Sequence, residues 1–222
     1  MAPRIIVSYD GTENDRDALA LGQLLASSGA TLDLAYVRHS EESETARERL
    51  AEAEARTLLA TAAEELGGGV STHVLLSGST PEGLRALAVE TGADMIVFGS
   101  AYRTAPGHVD PQASARRLID GGPVAIGLAP AAFGNGSAHT VTSVGAVGED
   151  GDPCVLETAE AIAGSLGAAV APRATSDVDL MVVGSKPGTV TGRITISAAA
   201  DYLVELARCP VIILPRGVAV PF

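Results

Sequence analysis

Two hydrophobic runs in this chain end the same way: DMIVFGSAY from Asp94 to Tyr102, and DLMVVGSKP from Asp179 to Pro187. Each closes on a Gly-Ser pair, Gly99-Ser100 and Gly184-Ser185. A glycine at such an exit lets backbone amides approach an anion, and a helix start downstream aims its free N–H groups at the same place. Asp110-Pro111 predicts that helix start, with the amides of Gln112, Ala113 and Ser114 left free. The chemistry these residues suit is the holding of a phosphate-like group, but a Gly-Ser pair is equally a tight strand exit. Other reactive residue types are scattered. His39, His73, His108 and His139 have no ligand spacing, and Cys154 and Cys209 stand alone without a CxxC pair. No Ser-His-Asp or Cys-His arrangement stands out, so neither a metal nor catalytic machinery is expected.

Composition narrows the partners. The chain has 222 residues, and 27 acidic against 15 basic side chains give a formal charge of −12, which disfavours nucleic acid and anionic membrane surfaces. There is no Trp and there are only three Phe, leaving few rings for stacking on bases. The opening MAPRIIVSYD has no long apolar stretch of the secretory kind, and no run approaches ~18 apolar residues. A cytoplasmic setting is expected.

The elements that must position the Gly-Ser exits alternate between short strands and helices. Strands are predicted at Arg4–Tyr9, Thr31–Val37, Val70–Leu76, Asp94–Gly99 and Pro123–Ala129. Between them, Thr12 opens a helix with Ala18, Leu21, Gly22 and Leu25 on one face. Ser40 opens a longer acidic helix, with Glu41, Glu42 and Glu44 in its first turn and Ala55, Leu58, Leu59, Ala62 and Leu66 as its stripe. Thr80-Pro81 caps a third. This pattern implies a doubly wound parallel α/β sheet over residues 1–130, and 131–139 read as a linker. Residues 140–222 repeat the order in shortened form. Asp94–Ser100 and Asp179–Ser185 match at a fixed offset of 85, and a long helix, a strand and another helix are missing before the second copy.

On RIIVSYDGTENDRDAL, GSTPEGLRALAVETGADMIVFGS, GPVAIGLAP and CPVIILPRG, the chain resembles the universal stress protein family in tandem form, with a truncated second copy. The resemblance covers nearly the whole chain, most fully Pro3–Pro130. It implies a five-stranded parallel sheet in the order 3-2-1-4-5, repeated in tandem with the second copy abbreviated. It also implies a ligand crevice where the ends of strands 1 and 4 part. Family members that bind ATP set an Asp like Asp10 against the adenine or ribose and hold phosphates on a Gly-rich stretch after strand 4. Carried over, the binding residues would be Asp10, Gly11, Thr12, Val37, Gly99, Ser100, Ala113 and Ser114. Two departures compromise the phosphate cradle: Tyr102 stands at the second glycine position, and Gln112-Ala113 stands at the third pair. The second copy has Pro187 and Ser197-Ala198 there, with Val147 or Gly148 where Asp10 would align and Glu149 and Asp150 displaced into the loop. Asp10 also has the plain reading of a residue that caps a turn.

The resemblance further implies pairing through the last strands, here with Val124, Ile126, Val211 and Ile213, so that the two copies form an intrachain pseudo-dimer. The expected function is a non-catalytic stress-response module acting through protein association, with room left for a homo-oligomer. The alternative is an ATP-binding sensor that uses only the first copy.

Overall fold

The β-branched runs fold as strands and the segments with 3-4 apolar spacing as helices. The computed structural model describes all residues except 1, 40–44, 137–138, 149–151 and 172–176, and describes 45–49 by their backbone alone. In the first half, β1 (Arg4–Ser8), α1 (Glu13–Ser27), β2 (Thr31–His39), α2 (Thr45–Glu65) and β3 (Ser71–Ser77) come first. Then follow α3 (Thr80–Thr91), β4 (Met95–Phe98), α4 (Ala113–Ile119) and β5 (Ala125–Leu128). The second half holds β6 (Ser143–Val147), α5 (Cys154–Leu166), β7 (Ala169–Ala171), β8 (Leu180–Val183), α6 (Ala198–Leu206) and β9 (Val211–Ile213).

All these strands join one sheet in the order β3-β2-β1-β4-β5-β9-β8-β6-β7. Neighbours are parallel throughout except at β5 and β9. The first five strands thus take the expected 3-2-1-4-5 order. The second set keeps that order without its third strand. Among the described residues, no helix is long and apolar enough to cross a membrane.

Alternate strand residues feed opposite faces. Ile5, Val7, Met95 and Val97 share one core with Leu21 and Leu25 of α1, Leu59 of α2 and Ile162 of α5. Ile6, Ile96 and Phe98 share the other with Leu84 of α3, Leu118 of α4 and Val204 of α6. Both cores draw on β5 and β9, so neither is interrupted where the halves meet. At that seam Ile126 lies opposite Ile213, Gly127 opposite Ile212 and Leu128 opposite Val211. Ile126, Val211 and Ile213 are fully buried. Left at an edge, either strand would present an apolar ladder to other chains; pairing them closes both.

Several expected boundaries shift. Val124 precedes β5 and stays out of the ladder, half-buried against the core of α3, α4 and α6. Ser79, not Thr80, caps α3: its hydroxyl accepts the Glu82 N–H at 3.4 Å, which makes Pro81 the second helical residue. Helix α4 starts at Ala113 with Gln112 as its cap, because Asp110 and Pro111 finish the preceding loop instead. The predicted helix start at Ser40, with Glu41, Glu42 and Glu44, lies outside the described residues. The predicted linker has structure: Phe133–Asn135 form a 3-10 turn, and Asp17, buried on α1, accepts the N–H groups of Ala132 at 3.0 Å and Gly134 at 2.7 Å.

Candidate functional site

The ends of β1 and β4 lie side by side, and the turn from β1 into α1 sits over them. Asp10 is exposed at the end of β1. Its Oδ1 accepts the Thr12 N–H at 3.1 Å, and its own N–H donates to Asp15 Oδ2 at 2.7 Å. Asp15 Oδ2 also accepts the Thr12 N–H at 3.0 Å, so one buried carboxylate ties the turn at two points. Gly11 takes φ +85°, and the Leu58 methyls of α2 stand 3.0 Å from where a Cβ would be. Asp10, Gly11 and Thr12 therefore form one compact turn. Val37 lies farther along β2, half-buried, with Cγ1 3.1 Å from the place a Cβ on Gly83 of α3 would take.

Gly99 and Ser100 are used by the protein itself. A Cβ on Gly99 would lie 2.0 Å from the Asn14 carbonyl oxygen, so the glycine admits the first turn of α1 against the exit of β4. Ser100 is only 1 % exposed; its hydroxyl donates to the Ala129 carbonyl at 2.7 Å and accepts the Asp110 N–H at 3.3 Å. It staples the β4–α4 loop to the end of β5. Ser185 does the same in the second half, donating to the Leu214 carbonyl at 2.8 Å and accepting the Thr195 N–H at 3.2 Å.

The loops themselves repeat. The Ala101 N–H bonds to the Asp110 carbonyl at 2.7 Å, as Lys186 does to Thr195 at 2.8 Å; Gly107 bonds to Ala131 at 2.7 Å, as Gly192 does to Arg216 at 2.8 Å. Every partner lies 85 residues beyond its counterpart. Side-chain identity hides this match, because His108 and Asp110 answer to Arg193 and Thr195 and the bonds run through backbone atoms.

Tyr102 is 76 % exposed, with the Arg103 guanidinium 5.3 Å from its ring centre and Arg103 itself at φ 69°. Ala113 is exposed and Ser114 half-buried in the first turn of α4, to which the Ser100–Pro111 bridge returns the chain. Asp110 pairs with Arg116 Nη2 at 2.8 Å. In the second half Gly184 packs on α5, a Cβ there falling 2.5 Å from Val155 Cγ2. Glu149 and Asp150 lie outside the described residues.

Two carboxylates that the residue pattern did not single out are the most perturbed groups nearby. Burial, reinforced by the Asp10 carboxyl, raises the Asp15 pKa to about 7. Burial also raises Asp17, against the lowering pull of the Gly134 and Ala132 amides. Their signal was available only as aspartates in and near the first turns of a helix, where capping is the ordinary explanation. Burial pushes the Cys154 and Cys209 thiols up to about 11 and about 12, which leaves neither as a ready thiolate. Among the described residues no group of three or more His, Cys, Asp or Glu is placed to hold a metal ion.

Hollows lie elsewhere on the described residues. One of about 310 Å³ sits at the seam, between Arg116 and Ile119 of α4, Val204 of α6 and Ile213 of β9. Another of about 530 Å³ lies between Phe133 and His139 of the linker and Val178, Arg208 and Cys209 of the second half.

The model of the universal stress protein family matches residues 1–109. No curated protein matches the sequence. Among solved structures, a functionally unknown protein from Pseudomonas aeruginosa PAO1 superposes with TM-score 0.67 at 16 % identity, over 97 % of this chain and 93 % of that one. A universal stress protein from Pseudomonas aeruginosa UCBPP-PA14 gives TM-score 0.65 at 16 % identity, over 97 % and 94 %. One from Archaeoglobus fulgidus DSM 4304 gives 0.62 at 14 % identity, over 96 % and 98 %. These likenesses establish the fold over both halves. Residues 1–109 thus match the universal stress protein family, and the fold of solved universal stress proteins continues along almost the whole chain.

Proposed function

We propose that this protein is a non-catalytic stress-response module that works through protein association, with its shortened second half serving the first as a built-in partner. The observation that carries this reading is the antiparallel pairing of β5 with β9, which closes two apolar edges inside one chain. The close packing at the exit of β4 supports it. The Asn14 carbonyl lies against Gly99 and the Ser100 hydroxyl is committed to the Ala129 carbonyl, so both groups expected to meet a phosphate already have protein partners. The duplicate bonds of Ser185 support a structural purpose for the pair, since they recur in a half that lacks one strand of the fold. The association state of residues 1–130 made without the second half tests the reading: a soluble monomer would overturn it.

A second reading keeps an adenine nucleotide, ATP or a relative, between Asp10, Val37 and Gly99. The exposed carboxylate of Asp10 beside the parting ends of β1 and β4 favours it.

A further inference from the structure

We propose that α6 is a docking surface for an amphipathic helix of a partner protein, to which it presents Ala199, Tyr202, Leu203 and Leu206. The proposal rests on the association reading and names the surface through which this chain meets another protein. The four residues fall at 3-4 spacing and share one stripe of the helix. Tyr202 is 60 % exposed and Leu206 49 %, Ala199 is exposed, and Leu203 is half-buried. The neighbouring stripe of Ala200, Val204 and the following Ala207 is buried in the core shared with α3 and α4.

The first half shows what covers such a stripe. At the offset of 85, residues 198–204 answer to 113–119, so α6 repeats α4 and Leu203 repeats Leu118. Leu118 is fully buried, and α3 packs against α4 with Leu84, Leu87 and Ala88 in the same core. Between β2 and β4 the first half holds α2, β3 and α3. Between β7 and β8 the second half has only residues 172–179, fewer than the 12 residues of α3. No described helix therefore stands beside α6 as α3 stands beside α4.

The outward residues do not suit water. Where α4 and the turn after it carry Ser114, Arg117 and Gly121, the second half carries Ala199, Tyr202 and Leu206. A helix face left to solvent is ordinarily polar, and apolar side chains clustered on it mark a contact surface. Val147 of β6 and Ala171 of β7, half-buried on the same face of the sheet, add to the apolar ground. A second copy of this chain is the poorer occupant. Each copy carries a charge of −12, and Glu205 stands exposed beside Leu206, so two copies bring like charges together. The fitting partner is a helix of about the length of α3, with Leu and Ala toward α6 and Lys or Arg on its outer flank.

A synthetic peptide of residues 79–92 carrying Glu82→Lys and Glu90→Lys, held helical by a staple between the positions of Arg85 and Val89, is the probe. All four positions are exposed on α3, which leaves Leu84, Leu87 and Ala88 for contact. Titrated into the isotope-labelled full chain, the peptide should shift the amide resonances of residues 199–206 to saturation. Leu206→Glu should weaken binding roughly tenfold with the fold intact, because an exposed leucine is exchanged for a carboxylate. The stapled peptide with its native glutamates should bind several-fold more weakly, and equal binding would overturn the basic flank assigned to the partner. No saturable shift in α6, or binding that Leu206→Glu leaves unchanged, would overturn the docking surface. Shifts in α6 that grow with protein concentration alone would overturn it too, by making a second copy the occupant. None of these results touches the pairing of β5 with β9, which the size of residues 1–130 tests separately.

Discussion

Replacing Ser100 by Ala should weaken the folded protein with no ligand present, and replacing Ser185 by Ala should do so to a similar degree. In each case one hydroxyl makes three contacts: it donates to Ala129 and, at a longer 3.3 Å, to His108 while accepting from Asp110 in the first half, and donates to Leu214 and, at 3.3 Å, to Arg193 while accepting from Thr195 in the second. Removing it leaves the Ala129 or Leu214 carbonyl without that donor inside a buried residue. An unsatisfied buried carbonyl costs about 1–3 kcal/mol, whereas the amides of Asp110 and Thr195, in less buried residues, can turn to water. The expected loss is therefore about 2 kcal/mol per site. With a urea dependence of about 1–3 kcal/mol per molar, the unfolding midpoint should drop by roughly 1 M in either variant. Circular dichroism across a urea series reads this directly. A midpoint for Ser100→Ala equal to that of the wild type would refute the structural role of the Gly-Ser pair. It would return Ser100 to the status of a ligand contact.

Two further outcomes follow from the same packing. Gly99→Ala must push a backbone carbonyl aside from 2.0 Å, whereas Gly184→Ala meets a side-chain methyl at 2.5 Å. Both should lower the thermal midpoint, with Gly99→Ala losing about 3 kcal/mol and the larger share. ATP at millimolar concentration should leave the melting temperature of the full chain unchanged. A rise that Asp10→Ala abolishes would establish the nucleotide reading instead.

Much of this fold is legible in the residues because its signals are local. The β-branched runs and the 3-4 apolar spacing each depend on neighbours in sequence, and the 85-residue offset is found by matching two short runs. Alternating strands and helices imply the parallel sheet, and the family resemblance implies its 3-2-1-4-5 order in the first half. The crevice is less legible because its decisive contacts are distant and run through the backbone. Nothing in GSAY announces that the space above Gly99 belongs to the Asn14 carbonyl, or that the Ser100 hydroxyl is aimed at Ala129. Asp15 and Asp17 were hidden by an ordinary role. Both read as polar residues near a helix start, and only the packing of β1, α1 and the linker takes their carboxyls out of water.

The pairing of the last strands is the feature on which the proposed function rests, and the size of the first half alone probes it most directly. Residues 1–130 should be prepared beside the full chain and both measured by sedimentation or light scattering over a range of concentration. Without β9, the buried Ile126 and Leu128 of β5 lie on an open edge. The first half should then self-associate or precipitate where the full chain remains a defined species. A first half that stays a soluble, folded monomer at every concentration would contradict the account.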